Sequence, residues 1–207
     1  MVTFEDIRKA VALNTFDYQA AQNRMAPQPR AILPENINKP PKEAGVLTLV
    51  YPDGDMLYVV LTRRTETLRG HSGQISFPGG RRDPEDDSFT ATALRETYEE
   101  LGILSNDITI VGELSRFYIP PSHYNVYPSV GIIQHKPDFK PNPQEVAEVI
   151  GFSLPDLLDP KIKHEEQHQF RGVTVNVPFY QVGNHKVWGA TAVMLSEFEH
   201  RLRAVIN

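Results

Sequence analysis

The densest chemistry in the chain is the run Arg95-Glu96-Thr97-Tyr98-Glu99-Glu100-Leu101-Gly102. On a helix, Glu96, Glu99 and Glu100 are three and four residues apart and share one face. Carboxylates that close repel one another and cost the helix stability. A divalent cation reverses the sign of that interaction. Mg²⁺ takes hard oxygen ligands and keeps waters, which suits a carboxylate ridge facing a phosphate. Glu96, Glu99 and Glu100 are therefore candidate ligands for Mg²⁺ or Mn²⁺. The plainer alternative is a solvated helix face. Just upstream, Phe77-Pro78-Gly79-Gly80 reads as a tight turn free of side chains. Gly79 and Gly80 there would let peptide groups approach a metal or a phosphate closely. An ordinary glycine loop accounts for such a turn but leaves the aligned glutamates unexplained.

Two further groups of residues could do chemistry. Arg63, Arg64, Arg69, Arg81 and Arg82 crowd beside the acidic run in a chain whose net charge is −5. Guanidinium groups grip phosphate oxygens in a fork. Ion pairing with Glu66, Asp83 and Glu85 is the competing use for about half of them. His164-Glu165-Glu166-Gln167-His168 matches H-E-x-x-H, in which two histidines on a helix hold zinc and the glutamate activates water. Its setting argues against that peptidase chemistry. Pro160 and Gly172 confine the segment, Lys161 to Gln169 offers only Ile162 as an apolar residue, and a β-rich run follows from Val173. A polar strand or loop of a hairpin fits better.

These residues need elements to hold them. Ser88 to Leu101 has a helical pattern, with apolar Ala91, Leu94, Tyr98 and Leu101 on one face. Asp87 or Ser88 supplies the N-cap and Gly102 a left-handed stop. Val46 to Tyr51 and Met56 to Thr62 are β-rich runs around Asp53-Gly54, a hairpin signal. More strands are expected near Ile108 to Leu114, Val126 to Gln134, Val149 to Ser153 and Val173 to Val182. Leu154 to Leu158 reads as a short helical turn and Ala192 to Val205 as a closing amphipathic helix, with Trp188 in the core beside it. Interleaved strands and helices indicate an α/β layered domain. Ahead of it, Thr3 with Asp6 opens a capped helix bearing Ile7, Ala10 and Val11. Met25 to Lys42, with Pro27, Pro29, Pro34, Pro40 and Pro41, is too proline-rich for regular structure. The expected division is residues 1–43 as an N-terminal helix and arm, and 44–207 as one domain.

The 207 residues and 40% hydrophobic content suffice for a real core. Net acidity argues against a nucleic-acid partner, which would call for excess Lys and Arg. With no cysteine, disulfides, zinc thiolates and thiol catalysis are all excluded. No run approaches the ~20 apolar residues that span a bilayer, so no membrane partner is expected. The first residues lack the apolar core of a secretion signal, and a cytoplasmic protein is the default expectation.

Gly80 through Ile103 resembles the Nudix box: glycine, a spaced acid, Arg-Glu, paired glutamates, glycine and an apolar residue. Two positions depart from it. One residue is extra between the glycine and the Arg-Glu, so Asp86 fits the spacing from the glycine and Asp87 the spacing from the arginine. Thr97 stands where an aliphatic residue is usual. The resemblance implies an α/β/α sandwich with a mixed sheet, and hydrolysis of a phosphoanhydride with divalent metal. It also implies a base that is either a box glutamate or an acid on a later loop, for which Glu100 and then Glu145 are the candidates. Arg95 would orient a neighbouring glutamate. A second segment, Leu61-Thr62-Arg63-Arg64-Thr65-Glu66-Thr67-Leu68-Arg69, then Gly73 and Phe77-Pro78-Gly79-Gly80, is similar to the motif of the coenzyme A pyrophosphatase branch. Val60 and Thr65 depart from it. That likeness implies coenzyme A or an acyl derivative as the small anionic substrate, with Arg64 and Arg69 binding it and 3′,5′-ADP and 4′-phosphopantetheine as products. ADP-ribose or a dinucleotide is the competing substrate class. A module that binds coenzyme A without cutting it is the non-catalytic alternative, and a homodimer is compatible with either.

Overall fold

In the computed structural model, residues 1–29, 39–66, 73–170 and 172–206 are described. Two short helices, α1 (Phe4–Val11) and α2 (Tyr18–Asn23), precede the strands β1 (Lys42–Asp53), β2 (Met56–Arg64), β3 (Ile75–Ser76) and β4 (Gly79–Arg81). Helix α3 (Phe89–Leu101) follows, then β5 (Thr109–Glu113), β6 (Phe117–Ile119), β7 (Tyr124–Ile132) and β8 (Val146–Ser153). A one-turn helix α4 (Leu154–Leu157) leads to β9 (Lys163–Phe170), β10 (Val173–Val182), β11 (His185–Trp188) and the closing helix α5 (Gly189–Ile206). Arg69 lies outside the described residues, as does half of the proline-rich stretch Met25 to Lys42.

Strand alternation explains the layers. In β1, Leu47, Leu49 and Tyr51 point to one face and join Val60 of β2 with Ala93 and Leu101 of α3 in an apolar cluster. Val50, Val59 and Leu61 point to the other face and pack with Leu195, Phe198 and Leu202 of α5. Side chains of period two thus bury both faces of one sheet, and each face takes its own helix. The result is an α/β/α sandwich. Its main sheet is mixed. β1 and β7 run parallel from Lys42↔Tyr124 to Val50↔Ile132, whereas every other named pairing in it is antiparallel. A smaller antiparallel sheet, ordered β11-β10-β9, lies beside α5.

One detail of the sheet positions the site. On a single edge, β1 pairs with β2 over Val50 to Asp53 but with β4 over Ala44 to Val46. The two hairpin strands diverge, and Pro78-Gly79-Gly80 fills the fork, where the Leu47 N–H donates to the Pro78 carbonyl at 2.9 Å. The expected tight turn is therefore a short strand. Gly79, with φ of 148°, sits so close to the Gly45 carbonyl and Val46 Cα that a Cβ would meet both at 2.6 Å.

Helix α3 starts and stops where its sequence indicates. The Ser88 side chain accepts from the Ala91 N–H, and Gly102 ends the helix at φ 70°. Its buried side differs from expectation. Thr92, Ala93, Thr97, Glu100 and Leu101 are buried, while Tyr98 is 53% exposed. Polar residues can occupy the inner side because they are satisfied locally. Thr97 Oγ1 donates to the Ala93 carbonyl at 2.6 Å and Thr92 Oγ1 donates to Asp86 at 2.8 Å. Trp188 also departs from expectation. It points outward from β11, 39% exposed, while its neighbour Val187 is fully buried.

The flanking helices are tied to α5. Ile7 and Ala10 of α1 are buried there, and the Arg201 guanidinium donates to the Ala10 and Leu13 carbonyls. Among the described residues, no helix is long and apolar enough to cross a membrane.

Candidate active site

The fork, the loop after β4 and the helix α3 bring the acidic residues together around Arg95. Its Nε and Nη2 donate to the two oxygens of Asp86 at 3.0 and 3.1 Å. Its Nη1 donates to Glu96 at 3.0 Å and to Glu99 at 3.1 Å, and Nη2 also reaches the Arg81 carbonyl at 3.1 Å. Asp86 is the buried anchor of this group and Asp87 is exposed, so the structure distinguishes the two spacings that the sequence leaves open. Asp86 also accepts from the Asp83 N–H at 2.9 Å. The Arg95 hydrogen bonds, more than any other contact, hold its carboxyl far below the usual carboxylate range.

The three helix glutamates are graded rather than equivalent. Their positions on the wheel span about 100°, so the first row of the helix that turns inward takes Glu100 and the row that turns outward takes Glu99. The Glu99 side chain is 46% exposed, that of Glu96 15% and that of Glu100 2%. Burial pushes the Glu96 carboxyl up, against the pull of Arg95. At Gly80 any Cβ would collide with the Glu96 carboxylate, so glycine there makes the room that Glu96 occupies. Burial pushes Glu100 further, up to about 8, with the nearby charges of Glu96 and Glu145 adding to it and Arg64 opposing it. Arg64 Nη1 stands 3.7 Å from Glu100 Oε1, and the Gly79 N–H also donates to Glu100. The other oxygen, Oε2, is buried with no hydrogen-bond partner among the described residues.

Glu145 comes to this place on the loop before β8. The Asn142 N–H donates to the Glu100 carbonyl at 2.9 Å, which caps the end of α3, and Asn142 Nδ2 donates to Glu145 at 3.4 Å. Thus Arg64, Gly79, Gly80, Arg95, Glu96, Glu99, Glu100 and Glu145 gather at one end of the fork. Two of the other arginines, Arg63 and Arg82, serve elsewhere. Arg63 points to the opposite face of the sheet and pairs with Glu148 at 3.1 Å. Arg82 lies over the Phe89 ring and donates to the Asp86 carbonyl. The segment His164 to His168 is strand β9, not helix, so its histidines stand about 13 Å apart along the backbone and cannot share one zinc ion. The sequence does not point to Thr92, which carries no motif. Its signal is a short polar side chain near a helix cap, and that is common everywhere.

The donor set fits a divalent cation. It consists of carboxylate oxygens, one of them buried and unsatisfied, where a positive charge would offset the burial, and the smaller mutual repulsion, that raise Glu96 and Glu100. Among the described residues no three acidic or histidine groups stand together as a ready metal cage, and the Arg95 guanidinium donates to both Glu96 and Glu99.

Residues 39–172 match the family described as the NUDIX domain. The chain belongs to the Nudix hydrolases. The match takes in every candidate side chain from Arg64 to Glu145 and leaves α1, α2 and α5 outside it. This Nudix chain is 36% identical over 145 residues to an uncharacterized Nudix hydrolase NudL of Photorhabdus laumondii, covering 70% of this chain and 77% of that protein. It is 35% identical over 137 residues to an uncharacterized NudL of Yersinia pestis, covering 66% and 68%. Among solved structures it is similar to a MutT/nudix family protein from Enterococcus faecalis, with a TM-score of 0.55 at 16% identity over 99% of this chain and 76% of that one. A MutT protein from Methanosarcina mazei gives 0.52 at 21% identity, covering 83% and 100%. These two show the fold. Nudix hydrolases are pyrophosphohydrolases that generally use divalent metal ions.

Proposed function

We propose that this Nudix hydrolase cleaves the pyrophosphate of coenzyme A or an acyl-coenzyme A, releasing 3′,5′-ADP and (acyl-)4′-phosphopantetheine. The observation that carries the proposal is the contact between Arg64 and Glu100. Arg64 comes from the segment similar to the coenzyme A pyrophosphatase branch, and Glu100 from the glutamate helix. The residue that would select the substrate therefore adjoins the residue that would serve the bond being broken.

In this reading Glu96, Glu99 and Glu100 hold Mg²⁺ or Mn²⁺. When bound, the cation neutralises the diphosphate and lowers the pKa of the attacking water. The chain's own groups do the rest. Gly79 and Gly80 keep side chains out of the fork so that the diphosphate can lie against backbone. Arg64 and Arg69 bind phosphate oxygens in a fork, including the 3′-phosphate that coenzyme A carries besides its pyrophosphate. Arg95, anchored on Asp86, orients Glu96 and Glu99. Glu100, or else Glu145, accepts the proton of the water that adds across the P–O–P linkage. The reading also takes the enzyme to be cytoplasmic.

A substrate panel with products separated chromatographically tests it. Coenzyme A, acyl-coenzyme A, ADP-ribose, NADH and dinucleoside polyphosphates are compared under Mg²⁺ and Mn²⁺. The highest kcat/KM is expected for coenzyme A or its acyl forms. A higher value for ADP-ribose or NADH would replace the substrate, and binding of coenzyme A without release of phosphopantetheine would replace hydrolysis with a binding role.

A further inference from the structure

We propose that Thr65 is a positioning residue that aims Glu145 at the glutamate helix. Thr65 makes two hydrogen bonds to consecutive residues of the loop before β8. Its N–H donates to the Glu145 carbonyl at 2.9 Å and its Oγ1 donates to the Gln144 carbonyl at 3.0 Å. The pairing of β2 with β8 is regular up to Arg63↔Glu148 and then slips, so that Arg64 faces Val146. Past that slip the backbone ladder alone would leave the loop free to hinge. The hydroxyl supplies the second tie.

Two ties on neighbouring carbonyls set the direction of the peptide between Gln144 and Glu145, and with it the Cα–Cβ direction of Glu145. The far side of the loop is held by Asn142. Its N–H donates to the Glu100 carbonyl at 2.9 Å, and its Oδ1 accepts from the Gln144 N–H at 3.1 Å. The loop is therefore strung between the end of β2 and the end of α3, and Glu145 is presented to Glu96 and Glu100, whose carboxyls feel its charge. Adjacent residues divide the work: Arg64 reaches the helix directly and Thr65 sets the loop. The Gln144 carbonyl is near solvent, so water can satisfy it when the hydroxyl is removed. The expected loss is one of aim rather than of folding.

The inference rests on the proposed role of Glu145, and the test separates the two. Thr65→Val, Thr65→Ser, Glu145→Gln and the double variant Thr65→Val/Glu145→Gln are compared for kcat, KM and thermal midpoint on the best substrate of the panel. Thr65→Val is expected to lower kcat by roughly tenfold with KM within about twofold of the parent, whereas Thr65→Ser restores kcat to within about twofold. In the Glu145→Gln background, Thr65→Val should add nothing further. A Glu145→Gln enzyme with parental kcat would remove the role of Glu145 itself. An impaired Glu145→Gln enzyme beside a fully active Thr65→Val enzyme would overturn the role of Thr65. So would a Thr65→Ser enzyme as slow as the valine variant, or an undiminished Thr65→Val effect in the double variant.

Discussion

Two helices of this protein bury glutamates, and they treat them oppositely. In α5, Glu199 accepts from Lys163 at 2.7 Å, Arg203 at 2.8 Å and the Tyr180 hydroxyl at 2.9 Å. Glu197 accepts from Arg201 and the Ser115 N–H at 2.9 Å and from Gln22 at 2.8 Å. Both are buried and both are surrounded by donors. In α3, Glu100 is as deeply buried but has a distant Arg64, one backbone N–H and an oxygen with no partner. A saturated carboxylate holds helices together. An unsaturated one is poised for a charge that the chain itself does not supply.

That contrast can be broken most severely at Glu100. Glu100→Gln should fold yet lose turnover by about 100-fold or more, and Glu99→Gln should lose most of it, measured as kcat on purified, folded protein. Glu199→Gln should do the reverse, costing about 3 kcal/mol in a denaturant melt because Lys163 and Arg203 lose their buried partner, with kcat of the folded fraction unchanged. If Glu199→Gln removed turnover without affecting stability, the division between the two helices would be wrong.

A pH experiment sharpens the comparison. With a folded-state pKa of about 8 against an ordinary value of 4.5, the native protein binds more protons than the unfolded chain between those limits. Glu100 therefore contributes stability below pH 4.5 that is lost as pH rises towards 8. Metal-free Glu100→Gln should be more stable than the metal-free parent at pH 8, by on the order of 4 kcal/mol, with the gap closing near pH 4.5. Thermal midpoints in chelator at the two pH values would show it, and an equal gap at both would contradict it. The smallest effect is expected at the arginines proposed to bind substrate. Arg64→Ala and Arg69→Ala should raise KM for coenzyme A by about tenfold and affect substrates lacking the 3′-phosphate less. Equal losses on every substrate would count against selectivity at these arginines.

Much of the fold was legible because its signals are local. The Asp53-Gly54 hairpin, the Ser88 cap and the Gly102 stop are properties of a few adjacent residues. The interleaving of strand and helix signals along the chain points to an α/β layered domain. What the sequence left unread depends on distant parts of the chain. Gly79 and Gly80 look like a turn until β1 is seen to leave β2 and make room for a strand. Tyr98 looks like a core residue until Thr97, whose hydroxyl is satisfied within the helix, takes the inner position. Trp188 points outward because Val187 claims the core, and no spacing announces that choice. At the site, the glutamate run stands out in the sequence, but the grading of its members does not, because it comes from what packs over each one. The choice between Asp86 and Asp87 is decided by a single arginine nine residues later.

The account turns on Glu100 as the carboxylate that a divalent ion completes, and calorimetric titration with Mn²⁺ near pH 7 tests this most directly. Run in buffers of different ionisation enthalpy, it should show the parent binding Mn²⁺ with release of a proton, and Glu100→Gln binding at least tenfold more weakly with that release gone. Undiminished Mn²⁺ affinity and unchanged proton release in Glu100→Gln would contradict it.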